Sequence, residues 1–307
     1  MGKALADAYP ICRATFDEAD AALGEPLSRV IFEGPEDQLT LTENTQPAIL
    51  AVSVAAYRLL ASRGIAPAFV AGHSLGEYAA NVAAGTFGFA DALRLVRRRG
   101  RYMQEAVPAG EGAMAAIMGL DADNVARACA DAANGDVVSP ANLNGAGQVV
   151  IAGARDAVRR AGDAAKALGA KLVVPLSVSA PFHCALMKPA EERLAPELRA
   201  LQAWDPRMPV VANVDAEPKR DARAAIEALV QQVSAPVRWE AVVARLASEG
   251  VTTYVEVGPG TVLSGLVRKI HRGATVVSFS GPDDLAGVEQ LLACSWTGAG
   301  HPGQVGG

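Results

Sequence analysis

Apolar residues follow a helical spacing in two segments near the amino terminus of this chain. They recur every three or four positions over residues 3–22 and 44–63, which predicts two helices. Gly24 and Gly64 stand just past these segments, where glycine commonly ends a helix. A short apolar run at 67–71 then predicts a buried strand. Helical spacing returns up to residue 84 and again over 91–106, with Asp91 as the expected N-cap.

Residues 112–179 have a different pattern, in which strands dominate. Strands are predicted at 113–120, 137–144, 148–153 and 171–178, with helices at 122–133 and 156–168. This β-α-β-β-α-β order is typical of a ferredoxin-like unit. We therefore expect residues 112–179 to form a small subdomain inserted into a larger one.

Strands and helices alternate on the carboxyl side of this insertion. Strands are predicted at 209–213, 253–257 and 275–279, and helices at 185–202, 221–233, 238–249 and 261–271. Such alternation indicates an α/β fold with a parallel sheet between layers of helices. We expect residues 1–111 and 180–281 to form this core, and the Gly-rich residues 296–307 to be a disordered tail.

Composition narrows the class of protein. The chain has 307 residues, of which 50% are hydrophobic and 20% charged, so it is expected to fold rather than remain disordered. A net charge of −5, with no basic run longer than residues 97–99, argues against a nucleic-acid partner. The longest apolar stretch, at 47–57, is too short to span a membrane. Four scattered cysteines have no metal-ligand spacing, and with no apolar leader they predict a cytoplasmic protein without a bound metal.

The sequence Gly72-His73-Ser74-Leu75-Gly76 lies between a predicted strand and a predicted helix. A GxSxG turn in that setting is typical of a nucleophile elbow, which exposes the serine oxygen at the end of a sheet. Ser74 is the expected nucleophile, and we expect glycine at both flanks because the turn is tight. The backbone N–H of Leu75, at the start of the helix, is placed to stabilise an oxyanion.

A serine nucleophile needs a base, and the chain has four histidines. His183 follows a predicted strand and precedes a helix, at the sheet edge where α/β active sites gather. His73 is expected to pack or hydrogen-bond beside the elbow. The group that orients His183 stays open at this point: Asp215, Glu256 and a backbone carbonyl all fit.

Arg99 lies beside the apolar stripe of the predicted helix 91–106. An arginine that partly faces the interior needs an anion, and a guanidinium grips a carboxylate with two hydrogen bonds. The partner is either the carboxylate of a substrate or a local acidic side chain, and the residues alone favour neither.

Several segments together resemble one enzyme family, the malonyl-CoA:acyl carrier protein transacylases. The resemblance runs from about residue 5 to 280 and is carried by segments 72–78, 99–100, 104–108, 177–188, 213–215 and 256–260. It implies a hydrolase-like α/β core with an inserted ferredoxin-like subdomain. It also implies malonyl-CoA as substrate, acyl carrier protein as partner, no cofactor and a monomer.

The resemblance further implies a role for individual residues. Ser74 is the acyl nucleophile, His183 the base and acid, and Leu75 an oxyanion donor. Arg99 binds the malonyl carboxylate, and the backbone carbonyl of Gln232 orients the histidine, ahead of Asp215 and Glu256. Gln46 and Met103 match pocket positions, and Phe182 matches the bulky residue of malonyl-selective enzymes.

One feature of the family has no counterpart here. Family members begin with a strand and a Gly-Gln-Gly-Ser-Gln segment that supplies a second oxyanion donor, and the loss of such a donor typically costs ~10²–10³ in rate. Two alternatives therefore stay open beside malonyl transfer: a serine esterase or thioesterase, and an impaired form that only binds carrier. Acyl carrier proteins are acidic, so a basic dock is expected, with four candidates: Arg155, Arg159, Arg160 and Lys171.

Overall fold

The computed structural model describes the backbone of residues 1–297 and the side chains of residues 1–291. The predicted tail at 296–307 lies outside these residues, apart from the last turn of helix α14 (Leu285–Thr297). The rest of the chain is a mixed α/β structure, as predicted. No helix in the described part is both long and apolar enough to cross a bilayer.

The chain before the first strand is helical. Its helices are α1 (Lys3–Ala8), α2 (Pro10–Leu23), α3 (Leu27–Glu33), α4 (Glu36–Thr40) and α5 (Thr42–Ser62). The single helix predicted over 3–22 is wrong, because Tyr9 is extended before Pro10, where an α conformation would clash with the proline ring. The two short helices α3 and α4 have no counterpart among the predicted elements.

Two helices follow the predicted elbow along the chain. These are α6 (Leu75–Ala84) and α7 (Phe89–Glu105). Asp91 does not cap α7, whose N-cap is Gly88. Asp91 lies in the first turn instead, where a negative charge stabilises the helix dipole, and it pairs with Arg94 at 2.9 Å.

The strands of the core form two sheets rather than one. Strand β1 (Val70–Ala71) pairs in parallel with β6 (Val210–Val211), and β7 (Pro218–Lys219) adds an antiparallel strand to β6. Strands β8 (Thr253–Val257) and β9 (Thr275–Phe279) form a separate parallel pair. The prediction of a single parallel sheet is therefore wrong, since no described strand joins β1 to β8. Strands β1 and β6 are also shorter than predicted: β1 begins three residues after Pro67, and β6 ends before Asn213, whose backbone N–H donates to Glu77 Oε2 instead of a neighbouring strand.

Residues 112–179 form a four-stranded antiparallel sheet with two helices. Its elements are β2 (Gly112–Met118), α8 (Ala122–Ala132), β3 (Val138–Gly145), β4 (Gln148–Ala154), α9 (Arg155–Ala167) and β5 (Leu172–Pro175). The strand order is β3-β4-β2-β5, and the apolar cluster between this sheet and the two helices is distinct from the clusters of the core. Strand β5 ends at Pro175, so residues 176–179 leave the sheet.

The remaining helices cover the core and complete its packing. They are α10 (Lys188–Arg199), α11 (Ala222–Gln232), α12 (Trp239–Ser248) and α13 (Val262–Ile270). Helix α7 crosses the first turn of α5 closely, since a Cβ on Gly100 would stand 2.7 Å from the carbonyl oxygen of Thr42. This approach brings Arg99, the residue before that glycine, to the side of α5 that carries Gln46.

Candidate active site

Ser74 lies at the sharp turn between β1 and α6. Its φ and ψ are 52° and −108°, a strained conformation for a residue other than glycine. A Cβ on Gly72 would stand 2.0 Å from the backbone carbon of Gly76, so only glycine fits at residue 72. A Cβ on Gly76 would meet no atom within 4 Å. The expectation that the turn requires glycine at both flanks is therefore wrong for Gly76.

Asn213 holds the strained turn in place. Its Oδ1 accepts a hydrogen bond from the backbone N–H of Ser74 at 2.7 Å, and its Nδ2 donates to the carbonyl oxygen of Gly72 at 2.8 Å. Asn213 is fully buried and follows β6, the parallel neighbour of β1. Segment 213–215 carries part of the family resemblance, but no local pattern assigns a role to Asn213, because only the pairing of β1 with β6 brings it to the elbow.

The side chains of Ser74 and His183 meet at hydrogen-bond distance. His183 Nε2 lies 2.7 Å from Ser74 Oγ, and His183 Nδ1 lies 2.9 Å from the carbonyl oxygen of Gln232. A carbonyl oxygen only accepts, so Nδ1 carries the ring proton and Nε2 is the acceptor that faces the serine hydroxyl. The contact between Gln232 and His183 is the one that the family resemblance implies.

The two acidic candidates for the group that orients His183 have other partners. Asp215 forms an ion pair with Lys219 and accepts from the backbone N–H of Glu217 at 3.0 Å. Glu256 accepts from the backbone N–H groups of Leu263 and Ser264 at the start of α13. The structure therefore excludes both carboxylates as hydrogen-bond partners of His183.

The surroundings of His183 keep its imidazole neutral. Burial, followed by the positive charge of Arg99, lowers the pKa of His183 from 6.5 to about 3. A neutral ring at pH 7 is able to take a proton from the Ser74 hydroxyl.

Leu75 is the first residue of α6, where a backbone N–H has no acceptor within the helix. It also lines the cavity beside Ser74 that is described below.

Arg99 points into the site and is 2% exposed. Its Nη1 donates to Gln46 Oε1 at 2.7 Å, and its Nη2 donates to Ser74 Oγ at 3.2 Å and to Gln232 Oε1 at 3.0 Å. Its Nε has no hydrogen-bond partner among the described atoms. Within the described residues no carboxylate lies within 4.0 Å of this guanidinium, so a salt bridge to a local acid is excluded.

A cavity of about 400 Å³ opens above these groups. Its wall contains every predicted pocket residue: Gln46, Ser74, Leu75, Arg99, Met103, Phe182 and His183. Gln46 Nε2 donates a weak hydrogen bond to the sulfur of Met103 at 3.8 Å. This contact helps to hold the side-chain amide of Gln46 against Arg99. Residues 176–179, which leave the sheet after β5, complete the rim.

The other two histidines of the described residues contact different partners. His73 Nε2 lies 2.9 Å from Asn144 Oδ1 and its ring packs near Trp239, which confirms its expected packing and hydrogen-bonding role. His271 contacts Tyr254 Oη at 3.1 Å, far along the chain from the site. Among the described residues no group of three or more His, Cys, Asp or Glu is placed to hold a metal ion.

The four basic dock candidates do not share one patch. Arg155 is the first residue of α9, and its backbone N–H donates to the carbonyl oxygen of Glu111. Gly112, which follows Glu111, packs against Pro181 close to His183. The backbone N–H of Lys171 donates to the carbonyl oxygen of Met118, at the opposite end of β2 from Gly112. At the usual rise per residue of a strand, the two ends of β2, and with them Lys171 and Arg155, are about 20 Å apart. The side chain of Arg160 donates to the carbonyls of Ala132 and Ala133, and Arg159 is exposed beside two aspartates.

An elbow serine, a neutral histidine and an inward arginine in one α/β cavity define a serine acyltransferase or hydrolase. Residues 1–286 match the acyl transferase domain family, and the chain belongs to that family. It is 51% identical over 288 residues to the malonyl CoA-acyl carrier protein transacylase of Escherichia coli strain K12, covering 94% of this chain and 93% of the relative. The protein of the same name from Bacillus subtilis strain 168 is 48% identical over 293 residues, or 95% and 92% of the two chains.

Solved structures give the same result. An acyl carrier protein S-malonyltransferase from Vibrio cholerae superposes with a TM-score of 0.92 at 47% identity and covers 94% of both chains. A malonyl-transacylase solved in complex with its type II polyketide acyl-carrier protein superposes with a TM-score of 0.93 at 47% identity, over 95% of this chain and 94% of that one.

Proposed function

We propose that this chain transfers a malonyl group from malonyl-CoA to the phosphopantetheine thiol of an acyl carrier protein. The observation that carries the proposal is the contact between Arg99 Nη2 and Ser74 Oγ at 3.2 Å, which puts a carboxylate-binding group beside the nucleophile. The names of the relatives support the same reaction.

The first half of the reaction acylates the enzyme. His183 Nε2 takes the hydroxyl proton of Ser74 as the serine oxygen attacks the thioester carbonyl. The backbone N–H of Leu75 stabilises the resulting oxyanion. The C–S bond then breaks, and the departing sulfur of CoA takes its proton from His183 Nε2, which leaves a malonyl ester on Ser74.

The second half runs the same steps in reverse with another thiol. The phosphopantetheine thiol of the carrier gives its proton to His183 and attacks the ester carbonyl. Collapse of the tetrahedral intermediate breaks the bond to Ser74, whose oxygen recovers the proton. The carbonyl of Gln232 holds the ring in the tautomer that both halves require.

Arg99 selects the acyl group in this proposal. Its guanidinium is fixed by the amides of Gln46 and Gln232, and a malonyl carboxylate binds it through Nη1 and Nη2 when it displaces Ser74 Oγ from Nη2. Met103 and Phe182 supply the apolar wall beside it. No cofactor enters these steps, because the CoA thioester is itself the activated substrate.

A serine esterase or thioesterase, the first alternative, would use the same Ser74–His183 pair with water as the acyl acceptor. A buried arginine without a carboxylate partner counts against it, since a neutral acyl group would leave that charge unpaired. The impaired carrier-binding form has a weaker basis, because the Ser74–His183 contact is already at 2.7 Å.

Intact-mass measurement separates the three readings. The chain is incubated with malonyl-CoA, and a gain of about 86 Da that is absent in Ser74→Ala marks the malonyl-enzyme. Addition of holo carrier protein should then move the group to the carrier. Loss of the adduct to water before carrier is added indicates an esterase, and no adduct indicates the impaired form.

Removal of Arg99 tests the source of selectivity. Arg99→Ala should lower kcat/KM for malonyl-CoA by ~10²–10⁴, the usual cost of losing one member of a buried charge pair, and reduce the preference over acetyl-CoA. Tm by calorimetry reports whether the variant is folded. An unchanged malonyl-over-acetyl ratio in a folded variant would contradict the assignment.

We also propose a division of the fold. Residues 1–111 and 180–281 act as a hydrolase-like core, and residues 112–179 as a ferredoxin-like subdomain. The antiparallel order β3-β4-β2-β5 and the separate apolar cluster support this division. The buried free thiols Cys12, Cys129 and Cys184 fit a cytoplasmic location, and we expect a monomer.

The carrier dock is proposed on the end of α9 that faces the site. Arg155 stands there, whereas Lys171 lies at the opposite end of the sheet. Arg155→Glu should therefore raise the apparent KM for carrier severalfold and leave the KM for malonyl-CoA unchanged. Lys171→Glu is the matched control, and a larger effect from Lys171→Glu would move the dock to the other end.

A further inference from the structure

Glu77 is a buried carboxylate beside the active site to which the proposed reaction gives no role. It lies on α6, one turn after Ser74, and is 1% exposed. Its Oε2 accepts from the backbone N–H of Asn213 at 3.0 Å and from Gln232 Nε2 at 2.8 Å. No Lys, Arg or His nitrogen of the described residues forms an ion pair with it.

Arg99 is the complementary case, since it is a buried cation without a carboxylate in contact. The side chain of Gln232 joins the two charges: its Oε1 accepts from Arg99 Nη2 at 3.0 Å, and its Nε2 donates to Glu77. One amide thus connects a guanidinium to a carboxylate in a region of low dielectric, where an unbalanced charge is costly. Glu77 is therefore the anion that balances Arg99 while no substrate carboxylate is present.

A malonyl carboxylate on Arg99 would upset this balance. The site would then hold two negative charges and one positive charge, with both Glu77 and Arg99 buried. We propose that Glu77 is the counter-charge of Arg99 in the free enzyme, and that it takes up a proton from solvent when the malonyl carboxylate binds. Protonation at Oε1 leaves both hydrogen bonds to Oε2 in place, so the elbow keeps its geometry.

The charges around Glu77 agree with such a switch. Burial raises its pKa from 4.5 to about 7, against the lowering effects of Gln232, Asn213 and Arg99. Asp215 faces it from the segment after β6 and raises its pKa slightly, and Tyr78 beside it is a neutral phenol at pH 7. His183 and His73 are the other titratable groups near Ser74, and burial lowers the pKa of both, so they are neutral at pH 7.

Calorimetry measures the proton directly, and the inference rests on the proposed function. Ser74→Ala binds malonyl-CoA without reacting, and titrations at pH 8 in two buffers of different ionisation enthalpy give the number of protons taken up. We expect uptake approaching about one proton with malonyl-CoA and none with acetyl-CoA, whose phosphates are the same. The Kd for malonyl-CoA should rise by up to about tenfold per pH unit above pH 7.

Glu77→Gln in the Ser74→Ala background is the decisive variant. A glutamine oxygen is still able to accept from Asn213 and Gln232, so proton uptake and the pH dependence of Kd should both disappear while binding at pH 8 is retained or tightened. Uptake that persists in Glu77→Gln assigns the proton to a histidine and overturns the proposal, as does its absence in Ser74→Ala. If Glu77→Gln fails to fold, the pH dependence of Kd in Ser74→Ala still decides: a Kd that is constant below pH 7 and rises above it indicates Glu77, whereas a Kd that already rises from pH 5 indicates His183 and overturns the proposal. If malonyl-CoA forms no adduct with the wild-type chain, the proposed function itself is wrong and the role of Glu77 falls with it.

Discussion

In the four-stranded sheet of residues 112–179 the strands are four to eight residues long, whereas the three strands of the sheet beneath Ser74 have two residues each. The first sheet is held by its backbone ladder and by an apolar cluster without a charged member. Beneath Ser74 the place of the ladder is taken by side chains: Asn213, Gln232 and Glu77 hydrogen-bond to one another and to the elbow.

This difference indicates that the inserted sheet contributes mainly to stability, whereas the polar network beneath Ser74 contributes mainly to reactivity. Both Ser74 and His183 have positive φ, at 52° and 60°, and the surrounding buried polar network keeps them there. The inserted sheet contains no comparable concentration of buried charge. Changes in the network should therefore affect reactivity first, and changes in the inserted sheet should affect stability first.

The largest effect is expected at the first glycine of the elbow. Gly72→Ala places a Cβ 2.0 Å from the backbone of Gly76, so the turn cannot form and acylation should be lost. Gly76→Ala has room for its Cβ and stands in the first turn of α6, so activity should be kept and stability should rise by about 0.5–1 kcal/mol. Acylation rates and Tm values of the two variants test this, and equal damage from both would contradict it.

A matched pair of substitutions tests the division between the two sheets. Ile151→Ala, at a fully buried position of β4, should lower the free energy of unfolding by about 2–5 kcal/mol and leave kcat within about twofold in the folded fraction. Asn213→Ala removes two hydrogen bonds from the elbow and should lower the acylation rate far more than Ile151→Ala does. Denaturant titration and single-turnover acylation provide the two readouts. A tenfold loss of rate in folded Ile151→Ala would show that the sheets are not independent.

The smallest effect is expected in the pH profile of acylation. In the proposed reaction the neutral ring of His183 is the active form, and its pKa of about 3 keeps it neutral far below the usual 6.5. The acylation rate constant at saturating malonyl-CoA should therefore stay constant from pH 8 down to about pH 5. Removing the charge of Arg99 removes one cause of the low pKa, so Arg99→Ala should lose activity at a higher pH than wild type. A tenfold decline in the wild type between pH 7 and 5.5 would contradict this explanation.

Regular elements were accessible from sequence because their pattern is local. Strands β8 and β9 and the end of α6 match the predicted bounds, and each inserted strand except β5 lies within two residues of its prediction. The errors have physical causes that act beyond the local pattern. Pro10 divides the first helix through its effect on Tyr9, and β6 ends before Asn213, whose backbone N–H donates to Glu77 instead of a neighbouring strand.

The amino-acid sequence by itself determined which chemistry is available: a serine in a GxSxG turn, a histidine after a strand and an arginine beside an apolar stripe. Tertiary structure decided which of these groups act on one another. It gave the orienting role to the carbonyl of Gln232 rather than to Asp215 or Glu256, and it joined Arg99 to Glu77 through one amide. The reason is that hydrogen bonds between residues 49 to 155 positions apart depend on strand pairing and helix packing, which no local pattern records.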